Sequence, residues 1–138
     1  MTDTLKVLLI ERDPVIFCAL RRTLGSVAQR QGRKSEVLHA ESIAEAKAIF
    51  TAHSDISGVV TSGTLNGGTK LHDGNRDEPD SEIVQFVGYV RELRPNLPVI
   101  AASNSSYCRT ALVESGCTAE CEKTEVVRVL MQLLKERS

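Results

Sequence analysis

The 138-residue sequence has no tryptophan, and aromatic residues make up only 4% of it. Nor is there an excess of either charge: 17 basic residues face 18 acidic ones, for a formal charge of -1. No global field therefore draws the chain onto nucleic acid or an anionic membrane. The basic cluster Arg21, Arg22, Arg30, Arg33 and Lys34 lacks interleaved aromatics and any groove-reading motif, so it reads as a solvated face. Long apolar runs are missing too. The run at residues 7–10 falls far short of the roughly 18 residues that a membrane-spanning helix needs. The opening Met-Thr-Asp-Thr-Leu-Lys has no basic patch followed by an apolar stretch, so a cytoplasmic protein is the expectation. Among Cys18, Cys108, Cys117 and Cys121, only the last two are close, and no second pair or His spacing completes a zinc pattern. They read as small, reduced core residues.

What is present suffices for one folded domain over residues 1–138: hydrophobic residues are 41% and charged residues 25%. Short aliphatic runs alternate with helical patterns. Residues 5–10 form an almost unbroken aliphatic run, as a strand buried on both faces requires. Asp13 then suits an N-cap and Pro14 a first helical position, where its missing N–H costs nothing. Ile16, Phe17, Leu20, Leu24 and Val27 share one face of that helix. A loop over 30–34 leads to a brief strand at 37–40. Ser42 and Glu45 have the spacing of a capping box.

A third strand is predicted at 56–61, followed by a Gly-, Asp- and Asn-rich insertion at about 63–80 that contains an Asp73-Gly74 turn signal. So long a connection is either a surface loop or a recognition loop over the site. A third helix starts near Ser81 and stops at Pro95. A fourth strand follows at 97–102, with Ser105 or Ser106 capping a helix that Gly116 closes. A weak strand at 117–122 and a helix opened by Thr124 complete five βα units. Right-handed crossovers then give a parallel sheet covered by helices on both faces.

In such sheets ligands bind beyond the carboxyl ends of the strands. Those ends carry Glu11, Arg12 and Asp13, then Thr61 and Ser62, then Ser103 and Asn104, and finally Lys123. Here the chain resembles, along essentially its whole length, the receiver domain of bacterial two-component response regulators. The resemblance rests on Val7-Leu8-Leu9-Ile10-Glu11-Arg12-Asp13-Pro14, on Leu93-Arg94-Pro95-Asn96-Leu97-Pro98-Val99-Ile100, on Ser103, and on the stretch from Gly116-Cys117 to Lys123. It implies a flavodoxin-like, doubly wound α/β fold, (βα)5, with strand order 2-1-3-4-5.

The resemblance also implies phosphotransfer signalling, with a phosphoryl group passing from a kinase histidine to an aspartate after strand three. Mg²⁺ and the lysine neutralise the charge that develops in transfer. Position by position, Lys123, Ser103 and Glu11 match the family's lysine, its switch Thr/Ser and its first acid. Arg12 stands where the second, metal-binding acid belongs. The phosphoacceptor falls on Ser62, or on Thr61 if the register shifts by one. Glu120 replaces the switch aromatic, and Thr124 replaces the proline after the lysine. The nearest following carboxylates, Asp73 and Asp77, lie inside the insertion.

The chain thus looks like a pseudoreceiver: not an enzyme, with no catalytic residue and Mg²⁺ binding lost. Arg12 is expected to act as an internal cation against Glu11 and Asp13. No DNA-binding or catalytic output module is expected to accompany the receiver-like segment. Output is therefore expected through contacts with a kinase, phosphotransfer or output protein, or a homodimer, on the face of helix four, strand five and helix five. Glu120 and Glu122 are expected to make that face acidic. The alternatives are a phosphoacceptor using another carboxylate, and a small-ligand or redox sensor using the pocket or Cys117 and Cys121.

Overall fold

A computed structural model describes residues 4–65, 69–70 and 77–136. Its central sheet is built from β1 (Thr4–Ile10), β2 (Lys34–Ala40), β3 (Gly58–Thr61), β6 (Val99–Ala102) and β7 (Ala119–Cys121). All pairings among them are parallel, in the order β2-β1-β3-β6-β7, which is 2-1-3-4-5 when only these strands are counted. The helices are α1 (Pro14–Arg30), α2 (Ile43–Ala52), α3 (Ser81–Leu93), α4 (Ser106–Glu114) and α5 (Val126–Glu136), the last entered through a 3-10 turn at Lys123–Glu125. The expected architecture is therefore present.

The aliphatic runs form strands because the sheet is covered on both sides and neither face tolerates polar side chains. Every residue of β3 and β6 is buried. Alternation along the strands splits the core in two. Leu8, Ile10, Val59, Val99 and Ala101 face α2, α3 and α4, with Phe50 and Phe86 meeting edge to face at 6.1 Å. Leu5, Val7, Leu9, Val60, Ile100 and Ala102 face α1 and α5. The edge strand β2 begins at Lys34, three residues before the aliphatic part suggested, because its outer residues are solvated and carry no apolar signal.

Helix starts follow local chemistry. Asp13 Oδ1 accepts from the Val15 amide at 2.9 Å and Ser42 Oγ from the Glu45 amide at 3.1 Å. Ser105, of the two candidate caps for α4, accepts from the Cys108 amide at 3.2 Å. Gly116 ends that helix at φ +126°, a conformation that side chains disfavour.

The insertion, left open above between a surface loop and a recognition loop, has local structure of its own among the described residues. It contains a two-stranded antiparallel ribbon, β4 (Thr69–Lys70) with β5 (Asp77–Glu78), in the register Thr69↔Glu78 and Lys70↔Asp77. Asp73 and the Asp73-Gly74 turn signal lie outside the described residues. The insertion's base is clamped: the Asp80 amide donates to the Gly63 carbonyl and Asp80 Oδ2 accepts from the Leu65 amide, both at 2.8 Å. Gly63 itself lies against α4, and a Cβ there would run into Cys108 Sγ. Gly63→Ala is expected to destabilise the protein by about 1–3 kcal/mol through overpacking. Adding Cys108→Ala should restore much of that loss in urea denaturation. Additive losses in the double variant would contradict this packing.

Candidate functional site

The strand register sets the site. Ala40, Ile10, Thr61 and Ala101 occupy one row across the sheet, so Glu11 and Ser62 emerge together just beyond it. Both are buried, Glu11 at 5% exposure and Ser62 at 3%. A carboxylate so withdrawn from water must be paired and hydrogen-bonded.

Glu11 is paired on every side. Its Oε1 accepts from Lys123 Nζ at 2.8 Å, across 112 residues of sequence. Its Oε2 accepts from the Arg12 and Asp13 amides at 3.0 and 3.3 Å. Its backbone carbonyl lies 2.6 Å from His39 Nε2, which must be the protonated nitrogen, since a carbonyl only accepts. The His39 ring in turn stacks on Phe17 with centroids 4.3 Å apart and an interplanar angle of 6°.

The expectation for Arg12 needs correction. The cation bound to Glu11 is Lys123, whereas Arg12 Nη1 donates to the Leu65 carbonyl at 3.0 Å. Adjacent residues at the end of a strand project in different directions, so the guanidinium reaches the insertion instead of its neighbour's carboxylate. Asp13 is exposed and spends its side chain on the α1 cap.

The hydroxyls are likewise committed. Ser62 Oγ donates to the Thr64 carbonyl at 3.0 Å, and Thr61 Oγ1 donates to the Ser62 carbonyl at 2.8 Å. Ser103 Oγ accepts from the Ser105 amide at 3.1 Å, and Asn104 Oδ1 accepts from the Lys123 amide at 3.4 Å. Geometry thus joins Glu11 and Lys123 directly, brings Ser62 to the same end of the sheet, and assigns Ser103 to a turn.

On the β7 side, one of the two acids expected to make the face acidic is paired. Glu120 Oε1 accepts from Arg109 Nε at 3.1 Å, and Arg109 Nη1 donates to the Ser103 carbonyl at 2.6 Å. The Arg109 cation therefore offsets Glu120, while Glu122 is exposed beside the 3-10 turn. Sequence reading missed His39, Asp80 and Arg109. Of these, only Asp80 carried a local signal, as a cap residue before α3. It makes no cap bond and serves the Leu65 amide instead.

Removing one partner of a buried pair strands the other charge. Lys123→Met is expected to cost about 2 kcal/mol, a value discounted because Lys123 is 24% exposed. Adding Glu11→Gln should recover at least half of that loss, since the stranded charge is removed. Urea denaturation of the two single variants and the double variant measures this, and strictly additive losses would contradict the pairing.

No protein-family model and no curated protein sequence matches the chain. Solved structures do. A response regulator receiver domain protein from Clostridium thermocellum superposes with a TM-score of 0.66 at 15% identity, over 96% of each chain. The response regulator TrrA from Thermotoga maritima, solved in complex with Mg²⁺ and BeF, gives 0.64 at 18% identity, over 94% of this chain and 98% of its own. A response regulator receiver protein from Pseudomonas putida gives 0.61 at 14% identity, over 99% of each chain. The fold of this chain is that of the response regulator receiver domains.

Proposed function

We propose that this protein is a cytoplasmic signalling protein of the two-component or phosphorelay class that acts by protein–protein contact without aspartyl phosphorylation. The observation that carries this reading is Ser62. At the position where the receiver resemblance requires a phosphoaccepting carboxylate, the side chain is a buried hydroxyl already donating to the Thr64 carbonyl. A serine hydroxyl needs a base to attack phosphorus, and no carboxylate is hydrogen-bonded to this one among the described residues.

Mg²⁺ does not fit the residues at the site. The cation wants several hard oxygen ligands in octahedral array. Glu11 offers its two oxygens to Lys123 and to two amides, and Arg12 brings a guanidinium to the position of the second acid. Among the described residues no group of three or more His, Cys, Asp or Glu side chains is placed to hold a metal. TrrA binds Mg²⁺ and BeF. This chain, in our reading, has exchanged that chemistry for an internal ion pair and is not an enzyme.

Partners are then other signalling proteins: a kinase, a phosphotransfer protein or an output protein. The face formed by α4, β7 and α5, with Tyr107 and Val113 of α4 exposed, is the surface we assign to them or to a second copy. Nucleic acid and membrane are not among the proposed partners. No described helix is long and apolar enough to cross a membrane. The basic residues Arg21, Arg22 and Arg30 are exposed on α1, with Arg21 over the Phe17 ring at 5.2 Å.

Incubation with acetyl phosphate and Mg²⁺ tests the phosphorylation claim. The expected result is no hydroxylamine-labile mass increase. An acyl phosphate mapped to any aspartate would overturn the reading in favour of a phosphoacceptor that uses another carboxylate.

A redox role for the close cysteine pair is disfavoured by burial. It pushes the Cys117 thiol up from the ordinary 9.0 to about 12, against a smaller opposing pull from Arg91. Burial also raises Cys121. Because the folded state holds the Cys117 proton more tightly, this contribution to stability is complete below about pH 9. It is lost as pH rises from there toward about 12. At about pH 8, Ellman's reagent should label exposed Cys18 first and leave Cys117 unreacted until the protein unfolds. Rapid native labelling of Cys117 would restore the redox alternative.

A further inference from the structure

The α1 and α5 helices lie on the same face of the sheet and leave a cavity of about 920 Å³ between them. Small-molecule sites typically have about 300–1,000 Å³. Leu9 and Val60 form the floor, and Leu20, Val27, Val127 and Met131 line the sides. From Ile16 to Gln31, both lining residues, the cavity follows α1 for about 22 Å at the helical rise. Its shape is that of a long apolar trough.

The two ends differ in charge. At the carboxyl ends of the strands Lys123 is neutralised by Glu11, the only acid lining the cavity among the described residues, and Arg128, on the α5 wall, pairs with Glu125. At the opposite end stand Arg33 and Lys135. Arg33 Nε is one of only two buried side-chain polar atoms without a hydrogen-bond partner among the described residues. A buried unsatisfied donor is unfavourable, and one on a cationic guanidinium calls for an anionic acceptor. An apolar trough that ends at a part-buried guanidinium with an unpartnered Nε is complementary to one class of molecule.

We propose that the α1–α5 trough binds a free single-chain amphiphile with an anionic head, of the fatty-acid type. Its hydrocarbon lies between the helices, and its carboxylate accepts from Arg33 with Lys135 nearby. The other end of the trough is lined by Glu11, Ser62 and Lys123, so an occupied trough abuts the candidate site. The inference stands independently of the signalling role.

The test is titration of the full chain with dodecanoate below its micellar concentration, followed by amide NMR. Dodecyltrimethylammonium and dodecanol serve as matched cationic and neutral chains. Dodecanoate is expected to saturate a single site, with shifts concentrated on α1, α5 and Arg33. The cationic chain should bind at least about tenfold more weakly, and Arg33→Met should weaken dodecanoate by at least about tenfold. Arg33→Met removes an unsatisfied donor, so its melting temperature without ligand should equal or exceed that of the wild type. Ala19→Trp, which fills the trough from α1, should abolish binding in a folded protein. Absent saturation, equal binding of the cationic chain, or unchanged affinity in Arg33→Met would each overturn the proposal. So would binding only to anionic vesicles, or a dimer that closes the trough.

Discussion

Glu11 is the residue on which this end of the molecule depends. A carboxylate withdrawn from water carries a desolvation cost of several kcal/mol unless its charge is met by a cation and its lone pairs by donors. Here Lys123 meets the charge, two amides at the start of α1 take the other oxygen, and His39 binds the backbone carbonyl. Each partner comes from a different element: the turn after β7, the cap of α1, and β2. One buried residue therefore ties three parts of the fold to the end of β1, and its charge and lone pairs are met by groups of the chain itself.

That arrangement explains the form of the neighbouring insertion. With Glu11 held by Lys123, the Arg12 guanidinium donates to the Leu65 carbonyl, while Asp80 closes the base of the loop on the Leu65 amide. Gly63 brings the same segment against Cys108 of α4, where no side chain fits. The insertion is thus anchored from β1, α3 and α4 at once, directly beside Ser62. The opposite side of the same site opens into the α1–α5 trough.

Much of the fold was legible because the signals are local and mutually consistent. Aliphatic runs mark strands covered on both faces, and Asp13, Ser42, Ser105 and Gly116 mark helix ends through hydrogen bonds spanning two to five residues. The ribbon of β4 and β5 was not legible, because two-residue strands in a polar, glycine-rich segment leave no periodicity to detect. Nor was the choice between Arg12 and Lys123 as the partner of Glu11. Proximity in sequence favours Arg12, whereas strand geometry turns it away and brings in a residue 112 positions distant. Glu120 illustrates the same limit: it is an exposed acid by sequence, but Arg109 reaches it from the preceding helix. Charge arithmetic along a chain misses pairings that only the packing of elements creates.

The most direct measurement is the response of the site's own amides to divalent cation. In a ¹H–¹⁵N spectrum, the amides of Arg12 and Asp13 report on Glu11 Oε2, and the Lys123 amide reports on the turn that presents its ammonium. If the ion pair already satisfies Glu11, these resonances stay in place as MgCl₂ is raised through the millimolar range, apart from the uniform drift that ionic strength causes. A saturable shift confined to Arg12, Asp13, Ser62 and Lys123 would show that a metal displaces Lys123 from Glu11, and would contradict the proposed loss of Mg²⁺ binding.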